Sequence, residues 1–432
     1  EAFQKWSRPL IAINIDGYEN VLCCFTTGDS IQGTVTIMPQ EDTSFESLSI
    51  TLEGAARTTV DSTAPQTQIP RRENSIKNFL QLQQPGCEKF YPESRTLKAG
   101  ETYNLPFTFV VPSHLLPDVC RHSRNNLQLT DAHTQLPPSL AGSMVLDDGR
   151  NLLDDLAYES SQICYAITVS ITEKPSVVGK PMKNLVTLSK RIRIVSSKEE
   201  EPPLNVLEGD DEYCLQKMKT VHRGVMRRKV GCLAAVASQP RPLQLFSSKT
   251  EASSPGAVGT TATVHLRFTP EGDEPPLKLG TVSTTLNATT FYGSTPWTDF
   301  PSKSVHRDRT LGKESYTKTV PISSMSISSI RWEKHNTTAE NDGDFASLSL
   351  SSSKDTMISS PGNTVYTTSI TVPITLPKDK TFVPTFHSCL ISRVYSLDVN
   401  ISYHTPGANL LTSGISLKLP VQIIHQPRNS DR

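Results

Sequence analysis

From Ser161 to Thr172 the large apolar side chains fall on every second position. Ile163, Tyr165, Ile167, Val169 and Ile171 alternate with Gln162, Cys164, Ala166, Thr168, Ser170 and Thr172. Successive side chains of a strand point to opposite faces, so this period predicts a strand that buries one face and wets the other. A second strand is predicted over 185–195 (LVTLSKRIRIV), after a break containing Pro175, Gly179 and Pro181. The chemistry then changes, because 198–212 carries Glu199, Glu200, Glu201, Glu208, Asp210, Asp211 and Glu212 around Pro202-Pro203. Two half-buried strands that run into an acidic, proline-broken stretch read as the end of one β-domain and the bridge to another. The expected division is a β-sandwich over 8–197, an acidic linker over 198–212 and a second sandwich over 213–426.

The rest of the chain fits that frame. Leu10–Ile15 alternates weakly, and Ile31, Gly33, Val35 and Ile37 share one face beyond a turn at Thr27-Gly28-Asp29. Leu48, Ile50 and Leu52 alternate next, whereas 61–74 (DSTAPQTQIPRREN) reads as loop by composition. A short strand is expected over 78–83. Tyr103, Leu105, Phe107, Phe109 and Val111 line another, which Pro106 demotes to a sheet edge or marks with a bulge. No strand pattern holds over 112–159, so a long functional loop is expected there, with at most one helical turn at 151–156. In the second half, strands are expected over 231–237, 279–291 and 320–332, and at Val264, Leu266 and Phe268. The stretch 247–259 reads as linker, and 333–362 as a polar, serine-rich mobile loop. Three alternating runs then close the chain: Ile370 to Leu376, Leu397 to Tyr403, and Ile415 to Ile423. Short strands between turn signals, without a convincing amphipathic helix, predict an all-β fold of two tandem immunoglobulin-like sandwiches. Alternation rather than continuous apolar runs predicts antiparallel pairing.

Bulk chemistry excludes several classes. Lys plus Arg equals Asp plus Glu at 43 each, so no global field draws the chain to nucleic acid. No apolar run reaches 18 residues, so no transmembrane helix is expected. The eight cysteines (23, 24, 87, 120, 164, 214, 232, 389) show no CxxC and no metal-like spacing with histidine, so no metal and no cofactor are expected. Scattered single cysteines suit a reducing compartment, and the sequons at Asn287, Asn336 and Asn400 read as chance. No GxSxG, HExxH, P-loop or GxGxxG occurs, so an enzyme is not expected. The carboxylate pairs Asp147-Asp148 and Asp154-Asp155 read as solvated loop residues.

Two candidate contact regions remain. Lys217, Lys219, Arg223, Arg227, Arg228 and Lys229 form a basic run with no acid in it, suited to anionic lipid or an acidic or phosphorylated tail. The alternative is a solvated strand face, or neutralisation by the acidic run just before it. The proline doublets Pro137-Pro138, Pro202-Pro203 and Pro275-Pro276 lack the tyrosine that a PPxY ligand needs in fourth place, where Leu140, Asn205 and Lys278 stand.

At this point specific strings resemble a known family. The string Phe25-Thr26-Thr27-Gly28-Asp29-Ser30-Ile31-Gln32-Gly33-Thr34-Val35 is similar to the early hairpin of the arrestin fold, and Leu52-Glu53-Gly54 to its next strand end. Gly100-Glu101 with Leu105-Pro106-Phe107 and Val111-Pro112 resembles its apolar-proline-phenylalanine strand. The run from Phe382-Val383-Pro384 through Arg393-Val394-Tyr395, with Leu419-Pro420-Val421, resembles its closing strands. The loop His133-Thr134-Gln135-Leu136-Pro137-Pro138-Ser139-Leu140 is most similar to fungal alpha-arrestin-type proteins, which suggests a loop contact at His133, Pro137 and Pro138.

The resemblance implies a non-enzymatic trafficking adaptor in the cytoplasm, recruited to plasma membrane or endosomes. Such an adaptor binds the cytosolic tails of membrane proteins and links them to WW-domain ubiquitin ligases for endocytosis, with peripheral membrane contact. A rival from another class is a coat or scaffold subunit like the arrestin-fold component of retromer. A secreted adhesive β-protein is the third reading.

Overall fold

The computed structural model describes residues 10–18, 24–63, 70–122, 126–142, 154–173, 184–207, 209–223, 228–246, 257–303, 312–336, 364–404 and 412–426. In the first half, Ser30–Met38 lies between Leu10–Ile15 and Tyr103–Val110 in a three-stranded antiparallel sheet. A four-stranded sheet has the order Asn184–Ile192, Ser161–Thr172, Ser47–Thr63, Pro70–Gln83. Ile31, Val35 and Ile37 from the first sheet meet Ile50, Leu52, Ile163, Tyr165 and Ile167 from the second in one buried cluster. The alternation read from the sequence is therefore what assembles this core. Pro106 lies on an edge strand opposite Thr34, where its missing N–H costs no ladder bond.

Gly33 marks the tightest point of the first sheet. A Cβ there would stand 2.2 Å from the Asn14 carbonyl oxygen and 2.6 Å from Cζ of Phe107. Only glycine lets the strands and the covering ring approach so closely.

In the second half, one sheet runs Gln216–Arg223, Arg228–Ala237, Thr260–Pro270, Thr364–Ile374, Glu333–Asn336. The other centres on Lys278–Gly293 and Ile391–His404, flanked by Lys313–Ser326 and Thr412–Val421. Leu233, Leu266, Phe268 and Ile370 from the first meet Val282, Leu286, Leu397, Val399 and Leu417 from the second in another buried cluster. The all-β class and the layered pairing hold. Two short pairings are parallel rather than antiparallel: Ile194–Val195 with Phe25–Thr26, and Leu243–Leu245 with Ile423–His425.

Several local expectations change. The stretch read as loop at 61–74 is strand up to Thr63 and again from Pro70, because long-range pairing overrides its polar composition. The region 112–159 holds a helix, α1 (Leu127–Thr134), capped by the Asn126 side chain, which accepts from the Leu129 N–H at 3.0 Å. Glu333–Asn336, read as the start of a mobile loop, pairs with 364–367 as strand, and 337–362 lies outside the described residues. Residues 154–156 form no helical turn, and Leu156 has φ 64. No helix among the described residues is long and apolar enough to cross a membrane.

Candidate functional site

The two cores interlock. Leu156, from the first half of the chain, is buried in the second core, while Tyr292, Val383, Phe386, Leu390 and Ile391 join the first. The chain around Leu156 is held from both sides. Asp155, expected as a solvated loop acid, is only 5 % exposed. Its carboxylate accepts from the N–H groups of Ala141 (2.9 Å), Gly142 (2.8 Å) and Ala157 (3.0 Å). This cage satisfies the buried charge with backbone dipoles.

From the other side comes Arg393, fully buried on the strand Ile391–His404. Its guanidinium donates to Thr290 Oγ1 (2.7 Å) and to the carbonyls of Asp155 (3.2 Å) and Leu156 (3.3 Å). The Thr381 N–H adds a bond to the Asp154 carbonyl at 3.0 Å. With both neighbouring carbonyls fixed, Leu156 can hold a left-handed backbone that a leucine rarely adopts. Asp147 and Asp148 lie outside the described residues.

Further along the seam, Thr58 Oγ1 donates to the Gly293 carbonyl at 2.8 Å and Ser75 Oγ to the Ser294 carbonyl at 2.7 Å. The start of the acidic stretch is also tied down: Glu201 exchanges two 2.9 Å bonds with the Gln422 side chain, and buried Lys198 pairs with Glu201 and donates to Gln135.

At another corner of the seam four soft donors converge. Sγ of Cys120 and Cys389, Nε2 of His122 and Nδ1 of His133 all lie within 4.8 Å of one another. Cys120 follows the 3-10 turn Pro117–Val119, and His133 sits in the last turn of α1. Cys389 lies in a turn held by Trp297, whose backbone N–H donates to the Cys389 carbonyl (2.9 Å) and whose Nε1 donates to that of Leu390 (3.3 Å). Burial first, then His122, His387 and Lys77, push His133 down to about 3, so its imidazole is neutral. Burial pushes the Cys389 thiol up to about 12. His133 Nε2 is buried without a hydrogen-bond partner.

Cysteine and histidine show no metal-like spacing along the sequence, yet the fold brings two of each together. Cys120 and His122 are separated by a single residue in sequence, which is the available signal. Cys389 comes from the other half of the chain, and no spacing rule could have brought it in.

The predicted contact residues fare unevenly. His133, Pro137 and Pro138 are buried, so they offer no exposed loop contact. The Pro137 carbonyl instead accepts from the Tyr165 hydroxyl at 2.5 Å inside the first core. Lys217, Lys219 and Arg223 lie on Gln216–Arg223, an edge strand whose first five residues are exposed. Lys219 Nζ donates to the Gly414 carbonyl at 2.8 Å. Arg223 pairs with Glu274 (3.2 Å) and Lys229 with Glu271 (2.8 Å), so among the described residues these two pair elsewhere than with the acidic bridge. Arg228 is exposed, and Arg227 lies outside the described residues. The seven described cysteines form no disulfides, and Asn287 of the first sequon is buried and donates to Asp398 at 2.8 Å.

Comparison with known protein families gives two matches. Residues 12–194 match the family described as Arrestin (or S-antigen), N-terminal domain. Residues 303–425 match that described as Bul1 C terminus. A comparison with curated proteins finds no match. Two different family domains in order along one chain of layered antiparallel sheets lead to one assignment: this is an arrestin-like protein with tandem domains.

Proposed function

We propose that this chain is a non-enzymatic trafficking adaptor of the cytoplasm, which binds cytosolic segments of membrane proteins and links them to ubiquitin-dependent endocytosis. The observation that carries the reading is the open edge at Gln216–Arg223. An edge strand presents unpaired N–H and C=O groups to which an extended peptide can add as a further strand. Lys217 and Lys219 lie on this strand and donate to neutral acceptors, Ser416 Oγ at 3.5 Å and the Gly414 carbonyl at 2.8 Å, so their charge still favours an acidic or phosphorylated segment over a basic one. The interlocked cores behind it supply a stiff platform, so the protein loses little conformational entropy when a tail docks. Ligase recruitment by this chain would use contacts other than a PPxY motif, since none of its proline doublets carries the tyrosine.

A photo-reactive residue in place of Met218, which is 60 % exposed, tests the reading in living cells. Adducts with integral membrane proteins through their cytosolic segments are expected, and adducts confined to soluble proteins would overturn it. Against a purified tail found this way, Lys217→Glu with Lys219→Glu is expected to weaken binding about tenfold at low salt, two rim charges together being worth roughly 1.4 kcal/mol.

A further inference from the structure

We propose that Cys120, His122, His133 and Cys389 form a closed tetrahedral site for a structural zinc ion that clasps the two sandwiches together at their seam. Zinc binds sulfur at about 2.3 Å and imidazole nitrogen at about 2.0–2.1 Å, so a regular tetrahedron places sulfur about 3.6 Å from nitrogen and the two nitrogens about 3.3 Å apart. In the structure Cys120 Sγ stands 3.6 Å from His122 Nε2 and 3.4 Å from His133 Nδ1, and the two nitrogens are 3.2 Å apart. Cys389 Sγ completes the set within the same 4.8 Å limit. Hydrogen bonding alone gives no reason for four donors to face one common centre.

The donor set selects the ion. Two thiolates and two imidazoles suit zinc, whereas calcium and magnesium require oxygen ligands. Four protein ligands leave no open position, which makes the site structural rather than catalytic. Cys120, His133 and Cys389 are buried, so water does not compete there. The surroundings fix the ligands in advance. Trp297 anchors the Cys389 turn, α1 carries His133, and Lys77 donates to the Val119 carbonyl at 2.7 Å beside the Cys389 sulfur. A nearby ammonium offsets thiolate charge, as outer-shell partners of metal sites do. Three ligands belong to the arrestin N-terminal match and the fourth to the Bul1 C-terminal match, so the ion would join parts of the chain that no local element connects. This inference is independent of the adaptor reading.

The test uses the full chain, purified under reducing conditions from zinc-supplemented cells, with metal counted by native and plasma mass spectrometry. About one zinc per chain is expected, as for other closed Cys/His sites. Exchange for cobalt should give the ligand-field and thiolate charge-transfer bands of a tetrahedral S2N2 centre. Cys389→Ser and His122→Gln should each weaken binding by more than the roughly 100-fold that outer-shell changes cost, while Cys232→Ser should leave it unchanged. His122 is only half-buried, so its variant keeps the test open should Cys389→Ser fail to fold. A folded chain that takes up neither metal would overturn the proposal. So would zinc retained in both ligand variants, or a Cys120–Cys389 disulfide in place of the ion under the same conditions.

Discussion

Arg393→Met is expected to destabilise the chain by about 3–5 kcal/mol, with no change at any exposed surface. The wild-type guanidinium serves Thr290 Oγ1 and the carbonyls of Asp155 and Leu156, all in a site without solvent. Methionine fills much of the volume but leaves those acceptors unpaired, and each costs about 1–3 kcal/mol. The loss also releases Leu156 from a backbone conformation held against its own preference, so the plug into the second core loosens. Arg393→Lys should recover only part of the stability, because one ammonium cannot span three separated acceptors as a planar fork does. Urea unfolding of the three proteins measures this. A difference under about 1 kcal/mol between wild type and Arg393→Met would mean that the strap is not held by this residue.

Gly33→Ala should cost at least about 3 kcal/mol, although it adds a single methyl group. The new carbon would stand 2.2 Å from a backbone oxygen of the neighbouring strand and 2.6 Å from the Phe107 ring. That oxygen belongs to Asn14, a paired residue of the adjoining strand, and cannot step aside without disturbing the ladder of Leu10–Ile15. Gly28→Ala offers the contrast. Its φ of 87 strains an alanine, but nothing lies within 4 Å of the added carbon, so about 1–2 kcal/mol is expected. Equal losses at the two positions would contradict the steric account. Denaturant midpoints of the two variants separate the cases.

The fold was legible where burial follows a strict period. Ile163, Tyr165, Ile167, Val169 and Ile171 are at most 1 % exposed, and the alternating residues of the runs near the C-terminus are all buried too. The sequence reading failed where pairing or packing comes from a distance. Residues 61–63 and 70–74 are too polar to announce a strand, yet the ladder of Ser47–Thr63 with Pro70–Gln83 extends through them. Helix α1 is too short and too weakly patterned to stand out, and it is stabilised by its asparagine cap and by packing against the second half of the chain. The seam was the least legible region. Asp155 looks like any loop acid and Arg393 like any strand cation until the fold places both in the dark between two cores. The Cys and His ligand set shows the same limit, since one of its four members lies more than 250 residues away from the rest.

The central claim is that exchange of side chains between the two cores makes the tandem sandwiches one cooperative body. Scanning calorimetry of the full chain tests it most directly. A single endotherm is expected, with calorimetric and van't Hoff enthalpies in agreement. Two separate transitions, each shifted independently by Gly33→Ala in the first sandwich or by a core substitution such as Phe268→Ala in the second, would contradict it.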